Sequence, residues 1–320
     1  GIIKEDILKK KIEDGLVFVN KKINNRLKNK NKEINEMCNL VKTYKGKLLR
    51  PTLTLICDQL VGGSGKNEVT SIAASIEMIH LATLIHDDVL DKSEKRRGND
   101  SVFFLSGTEK AIMFGDWLLS NAYHLCSEVN MPKLNIKLGE VTNSLCEGQI
   151  LQLCSRGEKE ISIDQYNNFI SKKTASLISA SCELGVMASG GSKETQECVK
   201  TFAHHIGMAF QIVDDILDFL GDEKTLGKKT GVDITQGEWS LPLVVFQSIG
   251  GFSKEDSVFL HKDNPRVLVE KMKKHGVFKY CQNEADEHIK KALNCLNHIE
   301  KNEWSCVLIK ISKMITERKK

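Results

Sequence analysis

Proline is scarce in this chain of 320 residues: Pro51, Pro132, Pro242 and Pro265 are the only four. Strictly alternating apolar and polar runs bounded by turn residues are scarce too, while apolar residues recur three and four positions apart through most of the sequence. Those two shortages leave little room for a strand-built fold and predict an all-α protein. The ten cysteines form no C-x-x-C pair and follow no regular spacing. A zinc ribbon and a disulfide framework are therefore not expected, and the thiols read as reduced and mostly buried, in an intracellular protein. No run of about 18 apolar residues occurs, so no transmembrane helix is expected, and the opening GIIKEDILKK lacks the apolar stretch of a secretory signal. Cytoplasmic and organellar placements both stay open, since a targeting segment removed upstream of Gly1 would leave this same sequence. Charge of one sign is also missing: 46 basic and 42 acidic residues give a net +4, which offers little support for nucleic-acid binding.

What is present is a succession of helical patterns with no linker rich in proline, glycine or serine between them, which predicts one domain over 1–320. Residues 1–45 read as an extension of one or two amphipathic helices with a solvated basic face. GKLLRPTLTLICDQLVGG reads as a loop entering a helix that stops at Gly62 and Gly63. A longer helix, NEVTSIAASIEMIHLATLIHDDVLD, follows, then a basic loop over 92–100, then three further helical segments up to about residue 190. ECVKTFAHHIGMAFQIVDDILDFL is another long apolar helix, and after it come a loop rich in glycine and lysine and a helical C-terminal third.

Two of these helices carry the same anomaly. Asp87, Asp88 and Asp91 interrupt the first, and Asp214, Asp215 and Asp218 repeat the D-D-x-x-D spacing in the second. Residues four apart share a helix face and the neighbour lies about 100° around, so each triplet is a carboxylate cluster. Six aspartates in apolar helices cost on the order of 3 kcal/mol in propensity and mutual repulsion. A hard cation offsets such a penalty: Mg²⁺ accepts one or two carboxylates, keeps several waters, and completes its octahedron with phosphate oxygens. Two facing clusters of this kind would grip one diphosphate. A di-iron bundle is not indicated, because the Glu-x-x-His pairs it needs are absent. Cations suited to phosphate lie nearby in sequence, Lys47 and Arg50 in GKLLRP and Arg96 and Arg97 beyond the first triplet.

Taken in order, GKLLRP, HLATLIHDDVLDKSEKRRG, GDWLL, KKTASL, GMAFQIVDDILDF and GKKTGVD resemble the trans-polyprenyl diphosphate synthases, the family that condenses isopentenyl diphosphate with an allylic diphosphate. The resemblance spans roughly residues 40–300 and is strongest over 46–245. It implies a single-domain isoprenoid synthase fold, antiparallel helices around a deep central cavity, acting as a homodimer. It implies Mg²⁺, three ions per site with Mn²⁺ as an alternative, held by Asp87, Asp91, Asp214 and, more distantly, Asp218, with Asp88 and Asp215 in support. Asp87, Asp88, Asp91, Lys173 and Asp214 are the residues it marks as catalytic. Arg96, Lys173, Thr174, Gln211 and Lys228 match positions that contact the allylic diphosphate, and Lys47, Arg50, His80 and Arg97 match those that bind isopentenyl diphosphate. No side chain is assigned as general base, because in the family the released diphosphate takes the proton. Glu238 departs from the pattern, standing where the family often has lysine, and is left out of the site; Lys229, beside Lys228, reads as exposed.

Ala82 and Thr83 lie five and four residues before Asp87, about one 5.4 Å turn deeper along the helix. In short-chain members aromatic side chains close the pocket at these places. Small residues here therefore predict a long-chain product of octaprenyl size, with farnesyl or geranylgeranyl diphosphate as primer. A geranylgeranyl or farnesyl diphosphate synthase is the alternative. A class I terpene cyclase would lack the second D-D-x-x-D, and a non-catalytic partner subunit would be expected to lose a cluster or the basic loop. The lipid product implies at most a loose association with membranes.

Overall fold

The computed structural model describes residues 2–65, 67–221, 237–252 and 265–318. Helices dominate, as the scarcity of alternating runs predicts: α1 (Ile2–Arg26), α2 (Lys32–Val41), a 3₁₀ turn (Lys42–Tyr44), α3 (Leu49–Leu60), α4 (Asn67–Leu90), α5 (Val102–Ser106), α6 (Thr108–Ser127), α7 (Pro132–Ser155), α8 (Ile163–Ile170), α9 (Ser176–Ala188) and α10 (Lys193–Leu220), then α11 (Leu241–Ser248), α12 (Pro265–Lys274), α13 (Val277–Leu296) and α14 (Glu303–Thr316). All four prolines fall in the first turn of a helix, where the missing N–H has no intrahelical partner to lose. Asn31 caps α2 by accepting from the Ile34 N–H at 3.1 Å. At α8, Ser162 and Gln165 form a reciprocal capping box.

The contacts group into two compact units. One comprises residues 1–142, 180–200 and 302–304, and the other 143–179, 201–301 and 305–320. In the first, α4 packs against α1, α3 and α6 and buries an almost unbroken run from Val69 to Ile79, then Leu81, Ala82 and Ile85. Among the described residues α4 is the one helix long and apolar enough to cross a membrane. Its most apolar window is 78% buried within the protein, so that apolarity is spent on the core. In the second unit α11 buries Leu241 to Phe246 in succession and packs against α8 and α13, and the Phe219 and Phe278 rings meet at 5.9 Å.

Three local features differ from the sequence expectation. The basic loop contains a two-residue hairpin, β1 (Lys95–Arg96) paired antiparallel with β2 (Asn99–Asp100), turned by Arg97 and Gly98. Both turn residues have positive φ, 51° and 77°, which matches the right-handed twist of the strands. The segment DQYNNFISKKTASLIS is interrupted by a π-helical turn at Ser171–Ala175. All ten cysteines are free, but only Cys38, Cys57, Cys126, Cys182 and Cys281 are buried. Cys146, Cys154 and Cys306 are exposed because they fall on the solvent faces of α7 and α14, so half of the thiols, and not most, belong to the core.

Candidate active site

The first triad sits at the end of α4, and its members point different ways. Asp88 is 1% exposed and accepts from the Tyr44 hydroxyl at 2.8 Å. Arg96 reaches the same carboxylate with Nε at 3.1 Å from both oxygens and Nη2 at 2.8 Å from Oδ1. The guanidinium also lies 5.4 Å from the centre of the Tyr44 ring, and the Tyr44 oxygen accepts from the Val102 N–H at 2.9 Å. Asp88 therefore ties the 3₁₀ turn, the hairpin and α5 to the end of α4. Burial alone would lower the Arg96 pKa, but Asp88, with Asp87 and Tyr44, outweighs it and raises it. Asp87 and Asp91, rotated away from Asp88, are partly exposed. Asp91 lies just past α4 but keeps the helical bond, its N–H donating to the Asp87 carbonyl at 2.8 Å.

Two to three turns before the triad on α4 lie His80 and Glu77. The His80 ring nitrogen Nε2 is 3.4 Å from Arg50 Nη1. Burial, reinforced by Arg50, Arg96 and Arg97, holds the imidazole pKa well below its ordinary value, so His80 is neutral here. Glu77 is 3% exposed; burial pushes its carboxyl up to about 7, against the pull of Arg50, Lys45 and Arg97. Four of the residues matched to phosphate binding, Arg50, His80, Arg96 and Arg97, are thus brought together, with a buried carboxyl that no motif marks. Gly46 makes this closeness feasible: a Cβ there would lie 2.9 Å from the Arg97 Cζ. Lys47 is exposed. Ala82 is 1% exposed, packed in the core, whereas Thr83 is partly exposed and donates to the His80 carbonyl at 2.6 Å.

The second triad, on α10, repeats the buried middle aspartate with different chemistry. Asp215 accepts from the Tyr166 hydroxyl, from Gln211 Nε2 at 2.9 Å and from the Leu241 N–H at 3.0 Å. Burial pushes its carboxyl up to about 6, and those three donors limit the rise. Asp218 is 1% exposed, while Asp214 is open, with 43% of its side chain accessible, and forms an ion pair with Arg318. Gln211 in turn accepts from the Thr174 hydroxyl at 3.0 Å, so Thr174, Gln211 and Asp215 form one hydrogen-bonded chain. Lys173 donates to Gln152 at 2.5 Å. Lys173 and Thr174 both belong to the π turn, a local widening often found at functional sites. Gly148 lets the turn pack closely, since a Cβ there would lie 2.5 Å from the Lys173 nitrogen. Lys228 and Lys229 lie outside the described residues. Glu238 is buried and pairs with Arg156, which gives that anion a structural partner.

Oxygen donors in this arrangement suit a hard divalent cation. Among the described residues no three His, Cys, Asp or Glu side chains converge tightly enough to enclose an ion. A metal would therefore take one or two carboxylates and fill its shell with water and phosphate oxygens, the habit of Mg²⁺. Asp214 already meets one cation, the Arg318 guanidinium.

Residues 31–259 match the family model described as polyprenyl synthetase. The chain belongs to the polyprenyl synthetase family. Among its curated relatives, the heptaprenyl diphosphate synthase component 2 of Bacillus subtilis is 31% identical over 278 residues, 86% of this chain and 79% of that protein. The short chain isoprenyl diphosphate synthase of Methanothermobacter thermautotrophicus is 33% identical over 288 residues, covering 86% and 87%. The crystal structure of a polyprenyl synthase from Caulobacter crescentus, complexed with calcium and isoprenyl diphosphate, superposes with a TM-score of 0.88 at 28% identity, covering 98% of this chain and 97% of that one. This polyprenyl synthetase is a trans-prenyltransferase, and its fold is the all-α fold expected from the sequence. The relatives differ in product length, so membership of the family leaves length open.

Proposed function

We propose that this synthetase makes a long-chain all-trans polyprenyl diphosphate, of octaprenyl size, by adding isopentenyl diphosphate to farnesyl or geranylgeranyl diphosphate. The observation that carries the diphosphate chemistry is the division of labour in the first triad: Asp88 is committed to Arg96 and Tyr44, and Asp87 and Asp91 are left facing outward. Asp87 and Asp91 hold Mg²⁺ on the allylic diphosphate, and Asp214, with Asp218 behind it, has the same role. When bound, Mg²⁺ neutralises the charge that builds on the departing diphosphate. Lys173, Thr174, Gln211 and Arg96 contact the allylic diphosphate, with Arg96 held in place by Asp88. Lys47, Arg50, neutral His80 and Arg97 bind isopentenyl diphosphate, whose double bond attacks the allylic carbon as its C–O bond ionises. Loss of a proton to the released diphosphate then leaves a longer allylic diphosphate, ready for another round.

Support for a long product comes from position 83, which holds a partly exposed threonine and not an aromatic residue, its hydroxyl tied to its own helix. A short-chain product is the second reading, favoured by the Methanothermobacter relative and by the tight packing around Ala82. Incubation with Mg²⁺, isopentenyl diphosphate and farnesyl diphosphate, followed by sizing of the extracted lipids, tests both. Products of about C40 are expected; a single C20 product overturns the long-chain reading, and no elongation overturns the assignment of these substrates to the chain acting alone. The Bacillus subtilis relative is named as one component of its synthase, so a partner subunit restoring activity would mark the chain as one half of a heteromer instead of the proposed homodimer.

A further inference from the structure

Arg318 lies two residues beyond the end of α14, and its guanidinium makes two contacts with one face of α10. Nη2 is paired with Asp214 Oδ1, and Cζ lies 4.4 Å from the centre of the Phe210 ring. Phe210 and Asp214 are four residues apart, one turn along the same face, so a single planar cation stacks on the ring while its edge meets the carboxylate. Only 25% of the Arg318 side chain is exposed. Asp214 is also the one member of its triad that is open, since Asp215 is filled by three donors and Asp218 is buried.

An oxygen occupied by a guanidinium is a poorer ligand for a divalent ion, and the two cations repel each other. We infer that Arg318 is an internal counter-ion that a divalent metal must displace from Asp214, so that the segment following α14 sets the metal affinity of the second triad. Without metal, Arg318 relieves the carboxylate repulsion between Asp214 and its neighbours and ties that segment to α10. With metal bound, the ion pair is lost and the contact with Phe210 remains. The inference rests on the reading of Asp214 as a metal ligand and concerns binding, not turnover.

The test uses the full chain and Mn²⁺ alone, with free ion followed by its electron paramagnetic resonance signal. Arg318→Ala is expected to bind Mn²⁺ about three- to tenfold more tightly than the parent, a modest factor because the pair is partly solvated. Arg318→Lys, which keeps the charge but loses the flat stack, should fall between them. In an Asp214→Asn background the Arg318→Ala effect should vanish. Thermal unfolding supplies a second readout: Arg318→Ala should melt below the parent without metal, and the gap should narrow at saturating Mg²⁺. Unchanged or weaker Mn²⁺ binding by Arg318→Ala, while Asp214→Asn weakens it, overturns this inference alone. If Asp214→Asn itself leaves Mn²⁺ binding unchanged, the metal reading of Asp214 falls, and this inference with it.

Discussion

Asp88 and Asp215 hold the same place in their triads and both are sealed from solvent, yet Asp88 faces a guanidinium while Asp215 faces two side-chain donors and a backbone N–H, all neutral. The first is a buried ion pair whose charge is balanced on the spot. The second is a carboxyl held by dipoles, and its pKa rises to about 6 because no full positive charge opposes burial. The outer positions differ too. Asp87 and Asp91 are both partly open, whereas in the other triad Asp214 is open and Asp218 is closed. Identical spacing therefore yields two different sets of surroundings. A motif fixes which carboxylates share a helix face, and the neighbours that pack around it decide which of them are buried.

The largest expected effect separates the outward from the inward aspartates by activity. Asp87→Ala should lower prenyl transfer by about a thousandfold or more while leaving the helical circular dichroism spectrum unchanged, because it removes the proposed metal ligand from a partly exposed position. Retained turnover would remove Asp87 from the metal site. Next in size is a stability contrast, read from denaturant unfolding. Asp88→Ala strands Arg96 in a largely buried place and should cost about 3–5 kcal/mol. Asp215→Ala strands neutral donors and should cost about 1–3 kcal/mol. The reverse order would break the distinction between a charge-balanced and a dipole-held aspartate.

The third effect concerns the buried Glu77 beneath the basic set. Its pKa is raised from 4.5 to about 7, so the folded state keeps a proton that the unfolded chain has released. Stability from this group is greatest below about pH 4.5 and declines as pH rises toward 7, then levels off. Glu77→Gln should abolish that decline, a relative gain on the order of 2–3 kcal/mol at pH 8 that is absent at pH 4.5. Equal pH dependence of the two proteins in urea unfolding would show that Arg50, Lys45 and Arg97 already hold Glu77 ionised.

Much of the fold and the site is legible in the order of residues. Helical spacing locates α4 and α10, and the i, i+4 relation places Asp87 beside Asp91 and rotates Asp88 away. Less visible is that Arg96, whose position matches a phosphate ligand, is also the partner of Asp88. The hairpin that folds one back onto the other escapes sequence rules, because its turn uses Arg97 at a positive φ that few of them anticipate. Tyr166 and Arg318 are out of reach altogether: they meet the second triad from 49 and 104 residues away, and no local pattern marks either. The π turn that carries Lys173 likewise has the pattern of plain helix in the sequence, and the close approach of Gly148 to it appears only in the structure.

The sequence by itself determined the all-α class, the family and the two aspartate triplets, because helical periodicity and side-chain type are local properties. Tertiary structure decided which aspartate in each triad is structural and which is open, which cation neutralises Asp88, and that Arg318 rests on Asp214. Those outcomes depend on burial and on partners from distant segments, and burial is set only when helices pack.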